Sequence, residues 1–139
     1  MESTIKKGST FEYKFSFSQQ DVIKFAEASG DFNPIHIDEE YAKTTIFKST
    51  IIHGFLGGSV FSKVFGTMFP GNGTIYLKQD MSFFKPMFIN TNYIAKFEVI
   101  DTNFEKNRAI VTTIIEDDNQ EIIIKGEALI KHPRIKDEE

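Results

Sequence analysis

An α+β fold, with one long helix wrapped by a curved antiparallel sheet of five strands, is what this sequence predicts. Three observations carry that expectation. Apolar residues recur at three- and four-residue intervals over 54–69. Every segment after Thr74 has strand character, broken by hairpin-like turns. One further alternating segment lies upstream, at the beginning of the chain. No repeat, linker or low-complexity segment interrupts this order, and 139 residues suit a single domain with one core, spanning 1–139.

From Gly8 to Phe17 the aromatic residues Phe11, Tyr13, Phe15 and Phe17 alternate, which predicts a half-buried first strand. Ser18 with Asp21 three residues on is a helix N-cap with an acidic first turn. Val22, Phe25, Ala26 and Ser29 follow at helical spacing, and Gly30 is suited to end that helix in the left-handed region. Asp38 caps a short helix carrying Tyr41 and Ala42. The main helix runs from Gly54 to Phe69 through Gly57, Val60, Phe61, Val64, Phe65 and Met68, and Pro70-Gly71-Asn72-Gly73 stops it. The later strands are expected at 75–84, 93–101, 108–117 and 121–131, with hairpin connections at 103–107 and 117–119. Pro133 ends the last of them, and 136–139 reads as a solvated tail.

Composition excludes several classes of function. A net charge of −4, without a stripe of lysine or arginine, argues against nucleic acid as a partner. There is no cysteine, so disulfides and thiolate chemistry are excluded. The first residues lead into no apolar block, so a cytoplasmic location is expected. Ile51 to Phe69 approaches the length of a membrane span, but His53, Ser59, Ser62, Lys63 and four glycines favour a helix enclosed by its own protein. Fifteen phenylalanines without a tryptophan suggest an aromatic core.

The segment Ser29-Gly30-Asp31-Phe32-Asn33-Pro34-Ile35-His36 sets a carboxylate and an imidazole five positions apart. A helix would hold them about 140° apart around its axis. Pro34 excludes a helix through this segment, because it lacks an N–H and pushes Asn33 toward extended conformations. The stiff turn that remains can aim Asp31 and His36 at one point, where a water would exchange protons with them. A structural reading stands beside this one: Asp31 caps the turn and His36 is a polar loop residue.

Ile52-His53-Gly54 opens the main helix. A helix N-terminus offers unpaired N–H groups and partial positive charge, and Gly54 lets a ligand oxygen approach that backbone. Its N–H suits a carbonyl that becomes an enolate. The His53 side chain is expected to satisfy a local hydrogen bond. Ser62 lacks a nucleophile elbow or an adjacent base, so a supporting hydroxyl is the better reading. His36, His53 and His132 show no ligand spacing, so no metal is expected.

Taken together, Gly30-Asp31-Phe32-Asn33-Pro34-Ile35-His36-Ile37-Asp38, Tyr41-Ala42, Phe47-Lys48 and Ile51-Ile52-His53-Gly54-Phe55-Leu56 resemble the signature of the MaoC-like family of (R)-specific enoyl-CoA hydratases. The similarity continues in order through Ser62, Gly66, Pro70-Gly71-Asn72-Gly73-Thr74, Tyr76-Leu77, Gln79 and Phe83-Phe84-Lys85-Pro86. The resemblance implies a hot-dog fold, homodimers or higher homo-oligomers with sheets joined edge to edge, and an acyl-CoA thioester as substrate. It implies a hydro-lyase that adds water reversibly and syn to a trans-2-enoyl-CoA, giving an (R)-3-hydroxyacyl-CoA, with no cofactor. Carried over, Asp31 and His36 hold the catalytic water, the Gly54 N–H binds the thioester oxygen, and Asn33 and Ser62 support the site. Ile52, Met87 and Asn90-Thr91 depart from the residues usual in the family, and the first two bear on the acyl pocket. A hot-dog thioesterase and a non-catalytic acyl-CoA-binding subunit of a larger complex are the alternatives. Five lysines, at 43, 48, 63, 78 and 85, are candidates for the CoA phosphates.

Overall fold

A computed structural model describes residues 4–137 of the chain. Strand β1 (Thr10–Phe15) leads into helix α1 (Gln19–Ser29), two one-turn helices α2 (Pro34–Ile37) and α3 (Glu39–Ala42), and the long helix α4 (Gly54–Thr67). Strands β2 (Ile75–Gln79), β3 (Ser82–Phe83), β4 (Tyr93–Asn103), β5 (Arg108–Asp117) and β6 (Ile122–Lys131) follow. They form one antiparallel sheet in the order β1-β4-β5-β6-β2, with β3 also paired to β6.

The sheet has six strands, not the expected five, because 75–84 is not one continuous strand. Asp80 interrupts it. Its N–H donates to the Glu127 carbonyl at 3.0 Å, and its carboxylate accepts from the Glu127 N–H at 3.1 Å. This draws the Asp80 backbone over Gly126, where a Cβ would stand 1.8 Å from the Asp80 carbonyl oxygen. Only glycine fits beneath that crossing, and the ladder resumes at Ser82 opposite Lys125.

Local signals elsewhere act as expected. Ser18 and Asp21 form a reciprocal capping box on α1, and Gly30 ends the helix at φ 81°. Asp38 caps α3 by accepting from the Tyr41 N–H at 3.1 Å. Between β4 and β5 a single 3-10 turn (Phe104–Lys106) ends on Asn107 in the left-handed region. The final strand stops at Lys131, and Ile135 returns to bridge Ile5 before the chain emerges at Lys136.

Helix α4 lies on one face of the sheet and supplies much of the core. Phe61 and Phe65 meet Phe97 of β4 edge-on at centroid distances of 5.7 and 5.3 Å. Such aromatic pairs stabilise by about 0.5–1.5 kcal/mol beyond the area they bury. Gly57 sits so close to Met87 and Ile124 of β6 that a Cβ would lie 2.7 Å from the Met87 sulfur. That contact brings the start of α4 close to the sheet, beside the cavity described next. Among the described residues no helix is long and apolar enough to cross a membrane.

Candidate active site

A cavity of about 570 Å³ opens where the turn after α1 meets the N-terminus of α4. Asp31, His36, His53 and Gly54 line its polar side, and Ile52, Met87 and Ile124 contribute to its apolar wall. Phe25, Phe47, Phe55, Phe83 and Phe84 add five aromatic rings to the lining. The departures at 52 and 87 therefore fall on the wall of this cavity. Lys85 is the one lysine of the five candidates that lines it, and its ammonium pairs with Glu121.

The Asp31 turn is built from short-range bonds. Gly30 reverses the chain, Ser29 Oγ accepts from the Asp31 N–H at 3.1 Å, and the Asp31 carboxylate accepts from the Asn33 N–H at 3.2 Å. Asn33 then caps α2 by accepting from the Ile35 N–H at 3.3 Å. Here the structure corrects the expectation of a non-helical segment. Pro34 begins a helical turn because the first position of a helix needs no N–H donor and favours the φ that proline imposes. That turn carries His36 back toward Asp31. A continuous helix through 29–36 is still excluded.

His36 is held on both sides. Its Nδ1 lies 2.8 Å from the Ile51 carbonyl, which can only accept, so Nδ1 carries the proton and Nε2 keeps a lone pair. Gln19 donates to the His36 carbonyl at 2.9 Å, and Gln19 in turn accepts from the buried Thr50 hydroxyl at 2.8 Å. Burial lowers the pKa of the imidazole below its ordinary 6.5, opposed by the bond to Ile51. The neighbouring His53 lowers it further, and Asp31 acts in the opposite direction. The neutral imidazole is therefore the predominant form at pH 7.

His53 is the residue that sequence spacing misjudged. Its hydrogen bond is not local: Nε2 donates to the Asp31 carbonyl, 22 positions away, at 3.0 Å. Its ring stacks on His36 with centroids 3.8 Å apart. Ligand atoms of Asp31, His36 and His53 thus gather within 4.8 Å, a grouping that linear spacing does not reveal. This trio does not fit a shared metal ion. His53 Nε2 is committed to the Asp31 carbonyl and its Nδ1 is buried, so that ring offers no accessible lone pair to an ion beside Asp31 and His36.

No side chain caps α4, whose N-cap residue is His53. Its first N–H groups, beginning with Gly54, stand at the cavity wall. The structure thus brings Asp31, His36 and Gly54 to one cavity, with Asn33 behind the carboxylate. Ser62 is not brought there. It is exposed and lies outside the cavity wall, because eight residues carry it about 12 Å along the helix and about 80° around it.

Comparison with known proteins gives consistent results. A family model described as a MaoC like domain matches residues 1–120. An (R)-specific enoyl-CoA hydratase from Aeromonas caviae is 40% identical over 117 residues, covering 84% of this chain and 87% of that protein. A 3-hydroxybutyryl-CoA dehydratase from Methylorubrum extorquens is 37% identical, covering 94% of this chain and 82% of its own length. The solved structure of an (R)-hydratase from A. caviae involved in PHA biosynthesis superposes with a TM-score of 0.89 at 37% identity, covering 93% of this chain and 98% of that one.

Proposed function

This chain belongs to the MaoC-like domain family, and from that premise we propose that it is an (R)-specific enoyl-CoA hydratase. It adds water reversibly to a trans-2-enoyl-CoA and yields an (R)-3-hydroxyacyl-CoA. One observation supports this most: a carboxylate and a neutral imidazole with a free Nε2 face the same cavity as an uncapped helix N-terminus.

The chemistry follows from the two difficulties of the reaction. Water is a poor nucleophile at neutral pH, and the β-carbon of an enoyl thioester is only mildly electrophilic. Asp31 and the Nε2 of His36 hold the water and take up its proton as oxygen bonds to the β-carbon. Positioned acid–base groups of this kind contribute about 10²–10⁴-fold each. The thioester oxygen gains negative charge as the enolate forms. The Gly54 N–H, at the positive end of α4, meets that charge, and one such donor supplies about 3–4 kcal/mol. A proton then returns to the α-carbon on the same face, and addition is syn. All the groups used are side chains and backbone of the protein.

The test is direct. Incubation with trans-2-butenoyl-CoA is expected to consume the enoyl absorbance and to give the (R)-3-hydroxy product on chiral analysis. Release of free CoA thiol instead would assign a thioesterase, and binding without turnover a non-catalytic subunit. The neutral form of His36 is the one able to accept the proton of water. kcat/KM is therefore expected to fall on the acid side of 6.5, and persistence of that acid limb in His36→Asn would contradict the role. The same depressed pKa makes the folded state lose stability over that interval, since the unfolded imidazole binds the proton first.

A homodimer is part of this reading. Strand β2 is the outermost strand on its side of the sheet, yet Ile75, Tyr76 and Leu77 are exposed, as are the neighbouring Phe55, Phe83 and Phe84. An apolar edge strand of this kind invites pairing with a second sheet. Sedimentation equilibrium at micromolar concentration is expected to give twice the chain mass of 15.9 kDa. A monomer there would overturn the dimer.

A further inference from the structure

The mechanism above leaves one buried polar side chain of the site unused. His53 is 2% exposed. It occupies the N-cap position of α4, but its side chain does not cap that helix. Its Nε2–H reaches instead to the carbonyl of Asp31, and its ring packs against His36 at 3.8 Å and Phe25 at 4.8 Å. Its Nδ1 is buried without a hydrogen-bond partner.

That last detail separates two accounts of the residue. If the position served packing alone, phenylalanine would fill it without burying an unsatisfied acceptor, which is destabilising. What the imidazole adds is one N–H at the far edge of a flat ring. That N–H falls on the turn carrying the Asp31 carboxylate. No other hydrogen bond described for Asp31 reaches beyond its own turn: the Ser29 hydroxyl and the Asn33 N–H are each two positions away. The His53 bond therefore ties that turn to the residue immediately before Gly54.

We propose that His53 is a positioning residue, whose Nε2–H holds the Asp31 carbonyl so that the carboxylate, the His36 ring and the Gly54 N–H keep one mutual placement. This rests on the hydratase reading of the site. His53 itself touches neither the water nor the thioester; it acts through Asp31 and His36. Displacing a reacting group by about 1 Å can cost about 10²-fold in rate, so a clamp of this kind affects kcat more than binding.

Two substitutions divide the donor from the ring. H53F keeps a flat ring beside His36 and removes the donor. H53Q places an amide N–H near the position of Nε2 and removes the stack. H53F is expected to lower kcat for trans-2-butenoyl-CoA by about 10- to 100-fold with KM changed by less than about twofold. H53Q is expected to recover most of that loss. Binding of butyryl-CoA, which cannot react, should match the wild type in both variants.

Hydrogen exchange of the Asn33 amide, which bonds the Asp31 carboxylate, reports the clamp without any turnover. It should quicken in H53F and return toward the wild-type rate in H53Q. Wild-type kcat and Asn33 exchange in H53F would overturn the proposal. So would a loss of kcat accompanied by equal losses in melting temperature and butyryl-CoA affinity that glutamine does not restore. If H53F does not fold, H53Q decides alone: near wild-type turnover supports the clamp, and lost turnover with an intact melt overturns it. If the wild type hydrates no enoyl-CoA, the reaction assignment fails instead, and Asn33 exchange still judges the clamp.

Discussion

Asp31→Asn lowers the hydration rate of trans-2-butenoyl-CoA by about 10²–10⁴-fold and leaves the fold intact; this is the expected result. The substitution removes charge and basicity but little shape. The Asn33 N–H still finds an oxygen on residue 31, because the side-chain amide keeps one acceptor where the carboxylate had two. The contacts from Ser29 and His53 go to the backbone of residue 31 and do not depend on its side chain. Asp31 is exposed and in no ion pair described for the chain, so the stability change is expected within about 0.5 kcal/mol. Stopped assays with a matched thermal melt make the comparison. Wild-type turnover in this variant would remove Asp31 from the chemistry.

His36→Asn is the companion experiment. Asparagine places an amide N–H where Nδ1 stands, so the bond to the Ile51 carbonyl survives while the Nε2 lone pair is lost. The expected loss is again about 10²–10⁴-fold in kcat, and the acid limb of the pH profile assigned to His36 should disappear. Alanine would be a poorer test, because it leaves the Ile51 carbonyl without its partner and confuses stability with chemistry. If Asp31 and His36 act on one water, the double variant costs little more than either single change, as groups working as a unit do. Losses that multiply would instead mean two independent roles.

Much of the fold was legible because its signals are local. The Ser18–Asp21 capping box, the left-handed Gly30, the Asp38 cap and the periodicity of α4 each depend on residues within a turn or two. So did β5, whose bounds Arg108–Asp117 match the expected 108–117. The division of 75–84 into two strands was not legible. It arises where Asp80 crosses Gly126, and nothing near Asp80 in the chain announces a glycine 46 positions later.

The candidate site divides in the same way. Asp31, Asn33 and His36 lie within six consecutive positions, and their turn is shaped by Gly30 and Pro34, so sequence alone supports their convergence. The helical turn at Pro34 was misread because proline breaks a helix from within but begins one readily, and the distinction depends on whether Asn33 caps it. Two features of this chain could have pointed to His53: it precedes the glycine that opens α4, and it is a polar residue next to an apolar run. Neither says that its ring would stack on His36.

By itself, then, the sequence determined the elements, the dyad turn and the exposed start of α4, because caps, proline geometry and periodicity act over a few residues. Only the tertiary structure decided what meets at the cavity. It seats the α4 N-terminus against the Asp31 turn, closes the apolar side with Ile52, Met87 and Ile124, and leaves Ser62 outside. Those outcomes depend on how close α4 lies to the sheet. That approach is set by glycine and methionine contacts between segments tens of residues apart, and no local propensity encodes it.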